Sequence, residues 1–197
     1  MKKYFAEFVG TWLFSLAVAL SLAGKFPVAT PVIAALTLGL FVYTIGSISG
    51  AHLNPAVTIG LWTIKKIATT DAVKYIIAQF LGAGATYFLA PSLAATASLT
   101  ALNSAAVGSA EFFGAIIFMF GIAAVVYGKV PVDASGATVG GSLLIGLSLA
   151  AAIGSNAVLN PAMALAIGSF SWLYVLAPIA GSIAGMNLYK WLVSERN

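Results

Sequence analysis

Two tripeptides carry the most chemistry in this chain, Asn54-Pro55-Ala56 and Asn160-Pro161-Ala162. Asparagine ahead of proline reads as a helix start: its side-chain oxygen accepts from early backbone N–H groups, and proline fits the first helical position because its missing N–H would have had no partner. Each apolar run that follows is about eight to ten residues long, well short of the roughly 20 that cross a bilayer. A helix that ends at membrane depth is tolerated only where it is buried in protein or lines a wet cavity. Where two such starts meet, their partial positive ends converge, and the amide NH2 groups of Asn54 and Asn160 are left to donate to an oxygen of a passing uncharged molecule. Such a centre repels cations. An anion site is the competing chemistry of a helix start, but no Lys or Arg adjoins either asparagine to compensate a desolvated anion.

Few other polar residues are candidates. Glu7 and Glu111 fall inside apolar stretches, in the repeated segments Ala6-Glu7-Phe8-Val9-Gly10 and Ala110-Glu111-Phe112-Phe113-Gly114. Intramembrane carboxylates mark proton pathways or buried hydrogen-bond networks. Their repetition in parallel with the asparagines favours the second role, each accepting backbone donors from the re-entrant segment of its own half. His52, two residues before Asn54, is expected to line the inner half of the pore as a neutral imidazole, with gating by its protonation as the alternative. It is the one histidine, and there is no cysteine, so thiol catalysis and thiolate metal sites are excluded. With no nucleophile–base pair and no phosphate loop, the sequence predicts neither an enzyme nor a cofactor.

The elements that position these residues must lie in a membrane. Of 197 residues, 61% are hydrophobic and 7% charged, whereas a soluble domain carries about a quarter charged. Disorder is excluded by the same composition. Six stretches, approximately 4–23, 32–49, 73–90, 107–127, 137–153 and 172–192, are long enough to span. With the amino terminus inside, Lys2, Lys3, Lys65, Lys66, Lys74, Lys129, Lys190 and Arg196 fall on the inner side and only Lys25 on the outer side. That asymmetry predicts a multi-pass protein of the cell membrane with both termini cytoplasmic. The basic residues therefore mark topology and not a nucleic-acid surface. Met1-Lys2-Lys3 before an apolar run with Ala17-Val18-Ala19 also has the outline of a secretory signal. Glu7 and the later counterpart of this segment argue instead for a mature span.

The halves repeat. Leu53-Asn54-Pro55-Ala56 returns as Leu159-Asn160-Pro161-Ala162, and Tyr75-Ile76-Ile77-Ala78 with Gly82 returns as Tyr174-Val175-Leu176-Ala177 with Gly181. Three spans in each half force the second copy to insert upside down relative to the first. The expected architecture is one all-α membrane channel domain, with six transmembrane helices and two re-entrant half-helices in an inverted 3+3 repeat. Residues 1–91 form the first repeat, 92–106 a linker and 107–197 the second repeat. The recurring Gly82 and Gly181 read as positions of close helix packing.

Ser49-Gly50-Ala51-His52-Leu53-Asn54-Pro55-Ala56-Val57-Thr58 resembles the first pore loop of aquaporins and glycerol facilitators, the major intrinsic protein family. Together with the repeated Ala-Glu-Phe segments, the second Asn-Pro-Ala and Ala78-Gln79 with Gly82, the resemblance covers nearly the whole chain. It implies one pore per subunit, usually in a homotetramer, and the same supporting role for the two glutamates. It also implies passage of water or small neutral solutes, among which glycerol, urea, ammonia and hydrogen peroxide remain open. Most relatives place an arginine directly after the second Asn-Pro-Ala, as part of a narrow outer filter. Here that residue is Met163. An ungapped count from the motifs puts Ala34, Ser148 and Ala157 at the other filter positions, and a slip in the loops would bring in Leu38 or Ile153. None of these restores a charge, so the filter is expected to be wider or less polar than a water-selective one, unless the flexible Met163 side chain occludes it. An inverted-repeat secondary transporter, with saturation and ion coupling, and a structural membrane protein with a closed pore are the competing classes.

Overall fold

A computed structural model of the chain describes residues 1–24, 26–95 and 99–194. Lys25 and Arg196, used above as topology markers, and residues 96–98 of the expected linker lie outside the described residues. The chain order is α1 (Lys2–Ser21), α2 (Thr30–Ser49), α3 (Pro55–Thr63), α4 (Thr69–Leu93), α5 (Ala105–Val126), α6 (Ser135–Ala152), α7 (Pro161–Ala166) and α8 (Trp172–Val193). Six of these are long and apolar enough to cross a membrane. Their apolar residues run around the whole circumference, the pattern of a helix packed on one side and bathed in lipid on the other. Leu36, Phe88 and Trp191 are among the large apolar side chains left on the outside.

The helix α4 is longer than the expected span, beginning at Thr69 and continuing to Leu93. Its polar first turn is fastened at Asp71, which accepts from the Lys3 Nζ and the Tyr4 hydroxyl, each at 2.7 Å. An apolar-run count misses such a turn.

Packing repeats between the halves. The α1–α4 contact of the first half recurs as α5–α8 in the second, while α2 against α6 joins them. Gly82 permits the first of these crossings, since a Cβ there would lie 2.5 Å from the Phe8 carbonyl oxygen; at Gly181 a Cβ would collide with the Phe112 carbonyl. Each half-helix is covered by the opposite half, α3 by α8 and α7 by α4. The Ser182 hydroxyl of α8 donates to the Ala56 carbonyl at 2.6 Å. Both half-helix starts are therefore held at the centre of the bundle, where Asn54 and Asn160 are buried.

Candidate functional site

The two Asn-Pro-Ala segments begin helices as their composition dictates. Asn54 Oδ1 accepts from the Ala56 N–H at 2.8 Å, and Asn160 Oδ1 accepts from the Ala162 and Met163 N–H groups at 3.0 and 3.2 Å. Proline follows each cap, where its lack of an N–H leaves nothing unsatisfied. The loops leading in have matched backbones, with positive φ at Ala51 and Leu53 in one and at Ala157 and Leu159 in the other. Left-handed conformations at non-glycine residues cost about 1–2 kcal/mol each, so both loops need strong external support.

Part of that support is reciprocal. Asn54 Nδ2 donates to the Leu159 carbonyl at 2.9 Å, and Asn160 Nδ2 donates to the Leu53 carbonyl at 3.0 Å. Each asparagine thus commits to the opposite loop one of the two amide hydrogens that its sequence context leaves for a permeant. The remaining N–H of each has no partner among the described residues, and both asparagines line one cavity.

The carboxylates supply the rest. Glu7 accepts from the Ser49 hydroxyl at 2.7 Å, the His52 and Leu53 N–H groups at 3.0 and 2.8 Å, and the Gln79 amide at 2.8 Å. Glu111 accepts from the Ser155 hydroxyl and from the Val158 and Leu159 N–H groups at 3.0 and 2.7 Å. Both are fully buried. The helix-borne tyrosines brace the same loops, Tyr75 donating to the Ser49 carbonyl at 2.8 Å and the Tyr174 oxygen accepting from the Asn156 N–H at 3.0 Å. The halves differ at Gln79 and Thr58, which have no polar counterparts at Pro178 and Ala164.

Two cavities lie end to end along this centre. The one farther from the chain termini has a volume of about 130 Å³, and its wall includes Ala34, Asn54, Ala157, Asn160 and Met163. The one nearer the termini, about 110 Å³, has a largely apolar wall that includes Val42, Val57, Val125 and Val139. Leu38, His52 and Phe118 line both, and so form the waist between them. His52 thus sits at the junction rather than wholly within one half. No Lys, Arg, Asp or Glu is among the described residues lining either cavity.

One expected filter residue is elsewhere. Ser148 is exposed on the outer surface of α6, its hydroxyl donating to the Leu144 carbonyl at 2.7 Å. The face of α6 turned to the cavity carries Leu143, Leu147 and Ala151 at helical spacing. An ungapped count across the loop between α6 and α7 lands one residue off that face. Phe118, Leu143 and Leu147 gave no signal in the sequence, because an apolar residue facing a pore is indistinguishable there from one facing lipid. The linker, which carried no chemistry in sequence, closes the far rim: Leu99 N–H donates to the Ile167 carbonyl at 3.0 Å, and the Thr100 carbonyl accepts from Asn156 Nδ2 at 2.9 Å.

Residues 1–189 match the family described as Major intrinsic protein. The chain is 34% identical over 184 residues to the probable aquaporin AqpM of Archaeoglobus fulgidus, covering 82% of this chain and 74% of that protein. To aquaporin Z of Bradyrhizobium diazoefficiens it is 30% identical over an alignment of 228 positions, covering 99% and 95% of the two chains. Among solved structures, its fold resembles the X-ray structure of the aquaglyceroporin from Plasmodium falciparum, with a TM-score of 0.74 and 23% identity over 98% of this chain and 96% of that one. A family match along almost its entire length, with relatives at 34% and 30% identity of which it covers 74% and 95%, means that the chain belongs to the major intrinsic protein family, as a multi-pass membrane channel for water and small solutes and not an enzyme.

Proposed function

We propose that each subunit passes water and small uncharged solutes along the line of the two cavities, with Asn54 and Asn160 as the central donors and with Ala34, Ala157 and Met163 as an uncharged outer filter. The observation that carries this reading is the pair of capped half-helix starts in the wall of one cavity, each asparagine keeping one amide hydrogen without a partner among the described residues. Convergent positive helix ends disfavour a cation there, while a neutral solute is met by a directed hydrogen bond. Replacement of the usual arginine by Met163 removes five fixed donors and a charge, so glycerol and urea pass alongside water, and ammonia and hydrogen peroxide belong to the same class of permeant. Residues 1–91 and 107–197 act as inverted repeats, the subunits assemble as a homotetramer in the cell membrane, and both termini are cytoplasmic. The lysines at the terminal face, including Lys65 and Lys66, support that orientation. Stopped-flow swelling of proteoliposomes with water, glycerol and urea tests the proposal. Rates equal to those of protein-free vesicles would defeat it, and saturable flux dependent on an ion gradient would point to a transporter.

A further inference from the structure

The first half contains a polar chain that the second half lacks, and it ends on the waist of the pore. Gln79 Nε2 donates to Glu7 Oε2 at 2.8 Å, an oxygen that can only accept while the carboxylate is ionised, and also to Thr58 Oγ1 at 2.9 Å. The Thr58 hydroxyl lies 3.1 Å from the Asn54 carbonyl oxygen, four residues back on the same helix, and 3.4 Å from Gln79 Oε1. Back-donation to the carbonyl four residues earlier is the ordinary habit of a helical threonine. With its single proton so engaged, Oγ1 has lone pairs for two donors, Gln79 Nε2 and His52 Nδ1, the latter at 3.1 Å. An acceptor facing Nδ1 fixes the proton on that nitrogen.

The other ring nitrogen has no hydrogen-bond partner among the described residues and is not one of the buried orphans. It therefore keeps accessible surface, on a residue that lines both cavities. Gly50 leaves that edge of the ring uncovered: it adopts φ +87, and a Cβ there would sit 3.1 Å from both Nε2 and Cδ2. The Tyr75 ring packs against the imidazole at 5.0 Å between centroids and an interplanar angle of 63°, limiting its rotation.

We propose that Thr58 is a specificity-determining positioning residue, whose hydroxyl holds His52 in the Nδ1-protonated tautomer so that unprotonated Nε2 faces the waist as an acceptor and favours permeants bearing an O–H or N–H. The asparagines then supply donors, His52 the acceptor, and a solute able to do both is handed from one to the other. The inference rests on the reading of His52 as pore-lining.

Because His52 is the one histidine in the chain, ring-labelled protein in proteoliposomes gives a single imidazole to observe by nitrogen-15 NMR. The expected spectrum places the proton on the nitrogen bonded to Cγ, which is Nδ1. Thr58→Val moves it to Nε2, and Thr58→Ser returns it to Nδ1. A proton on Nε2 in the unaltered protein, or a tautomer indifferent to Thr58→Val, overturns the proposal. Channel-mediated permeabilities of acetamide, which has N–H donors, and dimethyl sulfoxide, which has none, supply the functional arm. Their ratio falls about fivefold in Thr58→Val, the factor of one ordinary hydrogen bond, and recovers in Thr58→Ser; an unchanged ratio overturns the specificity step. The NMR result decides the tautomer whether or not the vesicles conduct, so a closed pore would defeat the functional reading separately.

Discussion

Asn54 Nδ2 donates to the Leu159 carbonyl oxygen at 2.9 Å, tying the start of one half-helix to the loop that enters the other. With its mirror bond from Asn160 to Leu53, it makes each loop a scaffold for its opposite. The same asparagine caps its own helix, so one short side chain serves cap, cross-tie and cavity wall together. No other side chain of this size offers an acceptor and two donors in that arrangement.

Removing one asparagine should therefore affect flux and stability together. Asn160→Leu loses the cap on Ala162 and Met163 and leaves the Leu53 carbonyl without its donor. A cap and one buried hydrogen bond are together worth about 1–3 kcal/mol. The expected outcome is a folded protein with a lower melting temperature in detergent and water permeability several-fold below the unaltered channel. Unchanged flux would argue against a pore role for Asn160.

The buried glutamates make a second test, because support and proton transport predict opposite results. In Glu111→Gln, an amide NH2 replaces an oxygen that faces backbone donors from Val158 or Leu159. Burying unpaired donors costs about 1–3 kcal/mol each. Yield of folded protein and thermal midpoint should fall for Glu111→Gln, and likewise for Glu7→Gln, where the same swap sets an NH2 against the Leu53 and Gln79 donors or the His52 donor. A proton-relay role would instead leave the fold intact and abolish proton flux, read with a pH dye inside the vesicles.

Helix spacing gives a third. Gly181→Ala drives a methyl into the Phe112 carbonyl, and Gly82→Ala drives one to within 2.5 Å of the Phe8 carbonyl. Backbone cannot rotate aside as a side chain does, so each substitution should separate its helix pair and destabilise the protein by about 1–3 kcal/mol. Thermal unfolding in detergent measures it. Gly84→Ala, inside the same helix α4 as Gly82 and where a Cβ would meet nothing within 4 Å, is the control and should unfold at the unaltered temperature or slightly above it, since alanine favours a helix over glycine.

What could be read in advance followed from local chemistry. Asn-Pro-Ala announces its helix start without reference to the rest of the fold, and six long apolar runs announce six spans. Glu7 and Glu111 were legible because a carboxylate in an apolar run needs a stated partner. Ser148 was misplaced because helix azimuth turns by about 100° per residue, so an error of a single residue in loop length exchanges the cavity face of α6 for the lipid face. Phe118, which forms the waist with His52 and Leu38, carries no mark in a chain whose helices are apolar all round, and Leu38 is reached from sequence only as a slip from Ala34. Thr58 and Gln79 were visible as letters, but their link to His52 depends on α3 and α4 lying side by side, a tertiary fact.

The filter gives the last prediction, and the one that speaks most directly to solute choice. Met163 is 4% exposed and shares its cavity wall with Ala34 and Ala157. Its backbone N–H is engaged by Asn160 at 3.2 Å, so the residue's position is set by the helix start while its side chain adds only a thioether. Two alanines sharing the wall with a flexible methionine leave room for a larger group, and the cavity is about 130 Å³. Met163→Arg introduces a planar cation with five donors into that space. Water can meet those donors while occupying little volume; glycerol and urea must displace them or fit past them. The expected result in stopped-flow proteoliposomes is retention of water permeability with loss of glycerol and urea permeability. Equal loss of all three, or no change in any, would show that the side chain at 163 does not form the filter.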